Sequence, residues 1–192
     1  MIRLFVGIGL PEDVRARLAG ISGGVPGARW VPPENLHLTL RFIGEVSEGE
    51  MEDIHLALAS VQVRQFDISL SGMGHFESGG EVRTLWARVE KSPALAGLQA
   101  RVESALVRIG LEREERRFMP HVTLARLRDA PLSRVSNFLA LNNLFRAGPI
   151  PVDSFTLFSS FLRQEGAIYQ SEADYPLLPA APEALRRSGT GF

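Results

Sequence analysis

Apolar residues fill most of Ile2 to Gly9, the pattern of a buried first strand. Pro11 opens a short helix whose apolar stripe is Val14, Leu18 and Ile21. A glycine-rich loop from Ser22 to Gly27 leads to a short strand at Ala28 to Val31. The run Pro32-Pro33-Glu34-Asn35 predicts a turn, since proline cannot donate to a ladder. Leu36 to Ile43 reads as the next strand, ended by Gly44. Ser47 and Glu50 have the spacing of a capping box, and the helix they start carries Met51, Ile54, Leu58 and Val61 on one face. Phe66, Ile68 and Leu70 alternate as in a strand, with a bulge or bend marked by Gly72 and Gly74. A turn at Ser78-Gly79-Gly80 joins it to a strand from Glu81 to Glu90.

The second half repeats the plan. A helix is predicted from Pro93 to Ile109, with Leu95, Leu98, Val102, Leu106 and Ile109 inward and Gly110 as its C-cap. His121 to Leu127 reads as a strand and Leu132 to Leu141 as a helix. Ile150 to Leu162 and Ala167 to Asp174 read as long strands paired across Gln164-Glu165-Gly166. Each half then runs helix, strand, helix, strand, strand. The stretch after Pro179 is rich in Ala, Pro and Gly and is expected to be a flexible tail, residues 179–192.

The apolar fraction, 45% of 192 residues, is ample for a packed core and excludes a disordered chain. Net charge is −1, so global positive charge cannot hold a nucleic acid; any polyanion contact must come from a local cluster. Lys91 is the sole lysine among 21 basic residues; the others are arginine, a fork suited to phosphate, although a GC-rich genome gives the same bias. Cysteine is absent, which excludes disulfides, thiolate zinc sites and a cysteine nucleophile. No apolar run approaches the roughly 20 residues of a membrane span, and the N-terminus lacks the features of a signal peptide. A soluble cytoplasmic protein, with no membrane association, is the expectation.

One tetrapeptide recurs. His37-Leu38-Thr39-Leu40 and His121-Val122-Thr123-Leu124 lie on equivalent strands of the two halves. Alternation places His37 and Thr39 on one face and Leu38 and Leu40 on the other, and likewise in the second copy. By composition, two such matches have a chance of about one in ten thousand. Duplication for packing explains the leucines but not the polar face. If a pseudo-two-fold axis relates the halves, two imidazoles and two hydroxyls share a cleft. That set suits a phosphodiester: one histidine activates the nucleophile, the other protonates the leaving oxygen, and the threonines hold the non-bridging oxygens. A metal site is the rival use of paired histidines, but two without a third ligand make a thin set. A phosphate-binding module without turnover is another, disfavoured because binding alone would select Arg or Lys.

The flanks carry a family resemblance. Trp30 to Val46 resembles the first signature of RNA 2′,3′-cyclic phosphodiesterases, also called 2′-5′ RNA ligases, of the 2H phosphoesterase superfamily. Phe118 to Arg126 resembles the second signature, Arg83-Thr84-Leu85-Trp86 the strand between, and Phe155 to Leu162 with Tyr169 and Tyr175-Pro176-Leu177 the C-terminal pair. The resemblance implies one bilobal α+β domain over residues 1–178, a pseudo-two-fold duplicated fold whose two antiparallel sheets line a V-shaped cleft with helices outside. It implies metal-free, cofactor-free opening of an RNA terminal 2′,3′-cyclic phosphate to a 2′-phosphomonoester, with 2′-5′ ligation as the related reaction. Its partner is an RNA end bearing that cyclic phosphate; no protein partner is implied, and a monomer is expected. A small cyclic nucleotide or ADP-ribose cyclic phosphate is the alternative substrate.

His37 and His121 are the catalytic candidates, their acid and base roles unassigned, with Thr39 and Thr123 as phosphate ligands. Alternation puts Arg41 on the cleft face, as a phosphate contact or a solvated strand-end arginine. Arg126 is a phosphate contact by resemblance, yet alternation puts it opposite Thr123; a bulge near Ala125 would be needed to turn it inward. Phe42 is a candidate for stacking on a base, but alternation sends it to the core with Leu38 and Leu40. His55 reads as a boundary residue, His75 as a loop residue, and Trp30 and Trp86 as core or rim packing. The mixed-charge run Glu112 to Arg117 reads as a solvated turn.

Overall fold

The computed structural model describes residues 1–163 and 166–180. The predicted turn at 164–165 and the tail beyond residue 180 lie outside them. The strands are β1 (Ile2–Gly9), β2 (Ala28–Trp30), β3 (His37–Val46), β4 (Phe66–Ser78), β5 (Glu81–Val89), β6 (His121–Leu127), β7 (Arg146–Val152), β8 (Ser154–Arg163) and β9 (Gly166–Pro176). The helices are α1 (Glu12–Gly20), α2 (Glu48–Ala59), α3 (Pro93–Arg108) and α4 (Leu132–Asn142). A short 3-10 turn spans Pro33–Asn35. No helix of the described residues is long and apolar enough to cross a membrane.

The strands run in the order β7-β4-β5-β6-β3-β1-β8-β9, every ladder antiparallel, with β2 also on β6. Two four-stranded halves meet at the β3–β6 seam, where Leu38 and Val122 are the one paired position. The expected two sheets are therefore joined into one at a single rung.

The halves are not contiguous in sequence. Beyond α2 the chain crosses over: β4 and β5 pair with β6, not with β3. The predicted strand Ile150–Leu162 is two strands broken at Asp153. Its first part belongs to β7, at the edge beside β4; its second, β8, returns to β1 in the other half. Pro149 and Pro151 explain the division, because proline is tolerated on an edge strand and not in a central one. Each lobe is thus completed by strands from the other half of the chain.

Leu38, Leu40, Val122 and Leu124 point to the helical side and are buried, as are Leu95, Leu98, Val102 and Leu106 of α3. Ile109 is not inward as its spacing suggests; it lies past the helix end and is exposed. The capping box forms as predicted: Ser47 Oγ accepts from the Glu50 N–H, and the Glu50 carboxylate accepts from the Ser47 N–H.

Candidate active site

In an antiparallel pair the partner numbers sum to a constant, so the Leu38–Val122 rung fixes its surroundings. One step either way, His37 lies across from Thr123 and Thr39 across from His121. All four sit on the face opposite Leu38 and Val122, and all four are partly buried while both apolar residues are fully buried. The rung is a local two-fold axis. Diagonal neighbours of this kind lie roughly 7–8 Å apart in a regular ladder, room for one phosphorus between two rings.

The imidazoles are held alike. His37 Nδ1 is 2.7 Å from Asn35 O, and His121 Nδ1 is 2.6 Å from Met119 O. A carbonyl only accepts, so Nδ1 carries the proton in both rings and Nε2 is the working nitrogen. His37 Nε2 lies 2.9 Å from Thr39 Oγ1, which donates to it when the ring is neutral. His121 Nε2 has no hydrogen-bond partner among the described residues. Asn35, which the sequence marks only as a turn residue, also donates through Nδ2 to Ala167 O at 2.7 Å, tying β9 to the turn that holds His37.

Each ring is walled by aromatics. Phe5 and Tyr169 stand 4.8 and 5.2 Å from His37 between ring centres; Phe76 and Trp86 stand 5.0 and 5.8 Å from His121. These apolar walls lower both histidine pKa values below the ordinary 6.5 by desolvation. For His37 the hydrogen bond that its ring donates to the Asn35 carbonyl opposes this and the like charge of His121 adds to it, as expected of two rings facing one space.

Linkage sets the sign for stability. An unfolded histidine takes up a proton near pH 6.5, and the folded rings resist it until lower pH. Their contribution is intact above 6.5 and is lost as pH falls through 6.5 toward the depressed folded values. Melting temperature should therefore drop between pH 7.5 and 5 more steeply for the wild type than for His37→Gln. Parallel curves would show that the His37 ring is not desolvated.

Directly after the threonine of each motif strict alternation fails, in the same way on both strands. Thr39 pairs with Gly7 and Arg41 with Val6, so Leu40 is skipped as a bulge. Trp86 pairs with Thr123 and Leu85 with Ala125, so Leu124 is skipped. Each bulge flips the residues after it to the opposite face. Phe42, expected in the core, is 54% exposed and pairs with Phe5 on the histidine face. Arg126 comes onto the face of His121 and Thr123 by the same device. Phe42 and Arg126 hold the same place five residues after each histidine.

Arg41 is the correction. The bulge turns it to the helical side, where Nε donates to Glu103 Oε2 at 2.6 Å and the two side chains are 9% and 13% exposed. It also donates to the carbonyls of Phe42 and Glu112. Glu103 accepts in turn from the Glu114 N–H at 2.9 Å. Arg41 thus clamps the loop that leads from α3 to His121 and does not face the histidines.

Of the remaining histidines, His55 Nδ1 bonds the Tyr175 hydroxyl at 2.9 Å and His75 pairs with Glu77 at 3.0 Å. Among the described residues no three His, Asp or Glu side chains come together as a metal-ligand set.

Comparisons with known proteins identify the family. The 2′-5′ RNA ligase superfamily model matches residues 10–160. An RNA 2′,3′-cyclic phosphodiesterase of Archaeoglobus fulgidus is 33% identical over 88% of this chain and 97% of its own. One of Aeropyrum pernix is 38% identical over 77% of this chain and 85% of its own. The crystal structure of E. coli LigT complexed with 3′-AMP superimposes with a TM-score of 0.75 at 27% identity, over 92% of this chain and 98% of that one. With a duplicated His-x-Thr-Leu edge, a shared fold and this sequence coverage, the chain belongs to the 2′-5′ RNA ligase superfamily.

Proposed function

We propose that this protein opens RNA terminal 2′,3′-cyclic phosphates to 2′-phosphomonoesters, with His37 and His121 as the acid–base pair. The local two-fold about Leu38 and Val122, which gives one face two imidazoles and two hydroxyls, carries the reading. Attacking and leaving oxygens lie on opposite sides of phosphorus in an in-line displacement, and a two-fold site supplies a nitrogen to each. Water attacks phosphorus as one Nε2 takes its proton. The bond to O3′ breaks, and O3′ takes the proton from the opposite imidazolium. Thr39, Thr123 and Arg126 donate to the non-bridging oxygens, where negative charge builds. The Thr39 hydroxyl turns from His37 Nε2 to the phosphate as substrate enters. Phe42 offers a stacking surface at the rim. A 5′-hydroxyl in the water's place gives a 2′-5′ linkage by the same transfers, in keeping with the name of the superfamily.

The test is product identity. An oligonucleotide ending in a 2′,3′-cyclic phosphate should yield only the 2′-phosphomonoester, readable by phosphorus NMR. Formation of the 3′-phosphate, or an unchanged substrate, would reject the reading.

A further inference from the structure

On the outer side of α3, away from the histidines, two recesses of about 430 and 440 Å³ abut and share Gln62 and Arg101. Together they form one groove between α3 and the segment after α2. Along α3 its floor is Ala94, Gly97, Arg101, Ser104 and Arg108, steps of three and four that keep one helix face in line. At 1.5 Å per residue this floor runs for roughly 20 Å. Small residues open its first half. Arg64 and Arg113 border it.

Four arginines therefore line the groove, and no carboxylate does. None of the four is in an ion pair among the described residues. Arg108 donates Nε to Ser104 O at 3.2 Å and Arg64 donates to Pro179 O at 3.1 Å, so each keeps further N–H groups for a ligand. The helix dipole accounts for Arg108, in the last turn of α3, but not for Arg64, Arg101 or Arg113. On a chain of net charge −1 this is a local concentration of positive charge, with polar Ser60, Gln62 and Ser104 interleaved.

We propose that the groove binds the phosphodiester backbone of single-stranded RNA, holding the body of a substrate whose 3′ end occupies the histidine site. The proposal rests on the RNA reading above for its ligand. Arginine forks match phosphate oxygens without reading sequence, as a terminus-directed enzyme requires. The groove and the histidines are separated by the helix layer, roughly 10–12 Å thick, and the sheet. Only an RNA long enough to pass round an edge can engage both, so the groove favours long RNA ends over cyclic mononucleotides.

The test is binding of a labelled 20-nucleotide RNA with a 3′-hydroxyl, by fluorescence anisotropy across a salt series. Arg101→Glu/Arg108→Glu should weaken binding at least about tenfold at roughly 50 mM salt and flatten the log–log salt slope by about 1.4, two contacts at roughly 0.7 each. Arg101→Lys/Arg108→Lys should keep most of the affinity, since it keeps the charge. The KM for a cyclic-ended 20-mer should rise in the charge-reversed variant while turnover of a 2′,3′-cyclic mononucleotide stays at the wild-type rate. Wild-type RNA affinity in the charge-reversed variant overturns the proposal, as does equal weakening of long and mononucleotide substrates. Inorganic phosphate competing as well as RNA, nucleotide for nucleotide, also overturns it, because the groove would then be a small-anion site. The 3′-hydroxyl RNA cannot react, so a failed cyclic phosphodiesterase reading would leave these binding results standing.

Discussion

Replacing His37 or His121 by alanine should lower turnover of a cyclic-phosphate-terminated RNA by at least about 100-fold, the scale of one general acid or base. The two losses should not multiply, because the rings act on one displacement; the double variant should be little slower than either single one. The pH profile separates this from a structural effect. Both rings are desolvated and lie below 6.5 in the empty protein, so the bell in kcat/KM, which reports the free enzyme, should peak on the acid side of 6.5. A bound phosphate anion favours the imidazolium form, so the kcat optimum should lie at higher pH. Near-wild-type turnover in either alanine variant, or coincident optima, would remove these residues from the chemistry.

The pairing of the two motifs was legible because a strand has a period of two and the motif occurs twice. Residues beyond Leu40 and Leu124 were not, because a bulge adds a residue without leaving a composition signal. Strict alternation put Arg41 with the histidines and Phe42 in the core; one skipped residue exchanged them. The matching skip at Leu124 brings Arg126 onto the histidine face, where alternation alone puts it on the other.

Long-range assembly was hidden for a different reason. Strand patterns show which residues are buried, not which strand lies alongside. Two contiguous halves were the natural expectation from the repeated order of elements, yet β4 and β5 complete the second lobe and β8 and β9 the first. The exchange matters for the site: Tyr169, on β9, stands against His37, and Phe76, on β4, against His121. Each histidine is walled by a strand from the opposite half of the sequence. The arginine groove was hidden likewise, since Arg64, Arg101, Arg108 and Arg113 are brought together by α3 packing beside the segment after α2.

Gly74→Ala tests how strictly these walls are fitted. Gly74 pairs with Trp86 across β4 and β5, and a Cβ there would fall under 3.0 Å from three carbons of the indole ring. The ring has little room to move: it is 7% exposed and sits between Phe76 at 5.1 Å and His121 at 5.8 Å. Overpacking of this kind costs about 1–3 kcal/mol, which should appear as a lower midpoint of urea unfolding with unchanged slope. The displaced indole must press on His121, and a shift near 1 Å in a catalytic group can cost up to about 100-fold in rate. Trp86→Phe supplies the control. It shortens the ring where the new methyl enters, and it also removes an indole N–H that is buried without a partner among the described residues. Gly74→Ala/Trp86→Phe should therefore be more stable and faster than Gly74→Ala alone, a coupling that additive effects cannot produce. If Gly74→Ala matches the wild type in both measurements, the indole does not set the position of His121, and the ring is held by the Met119 carbonyl and Phe76.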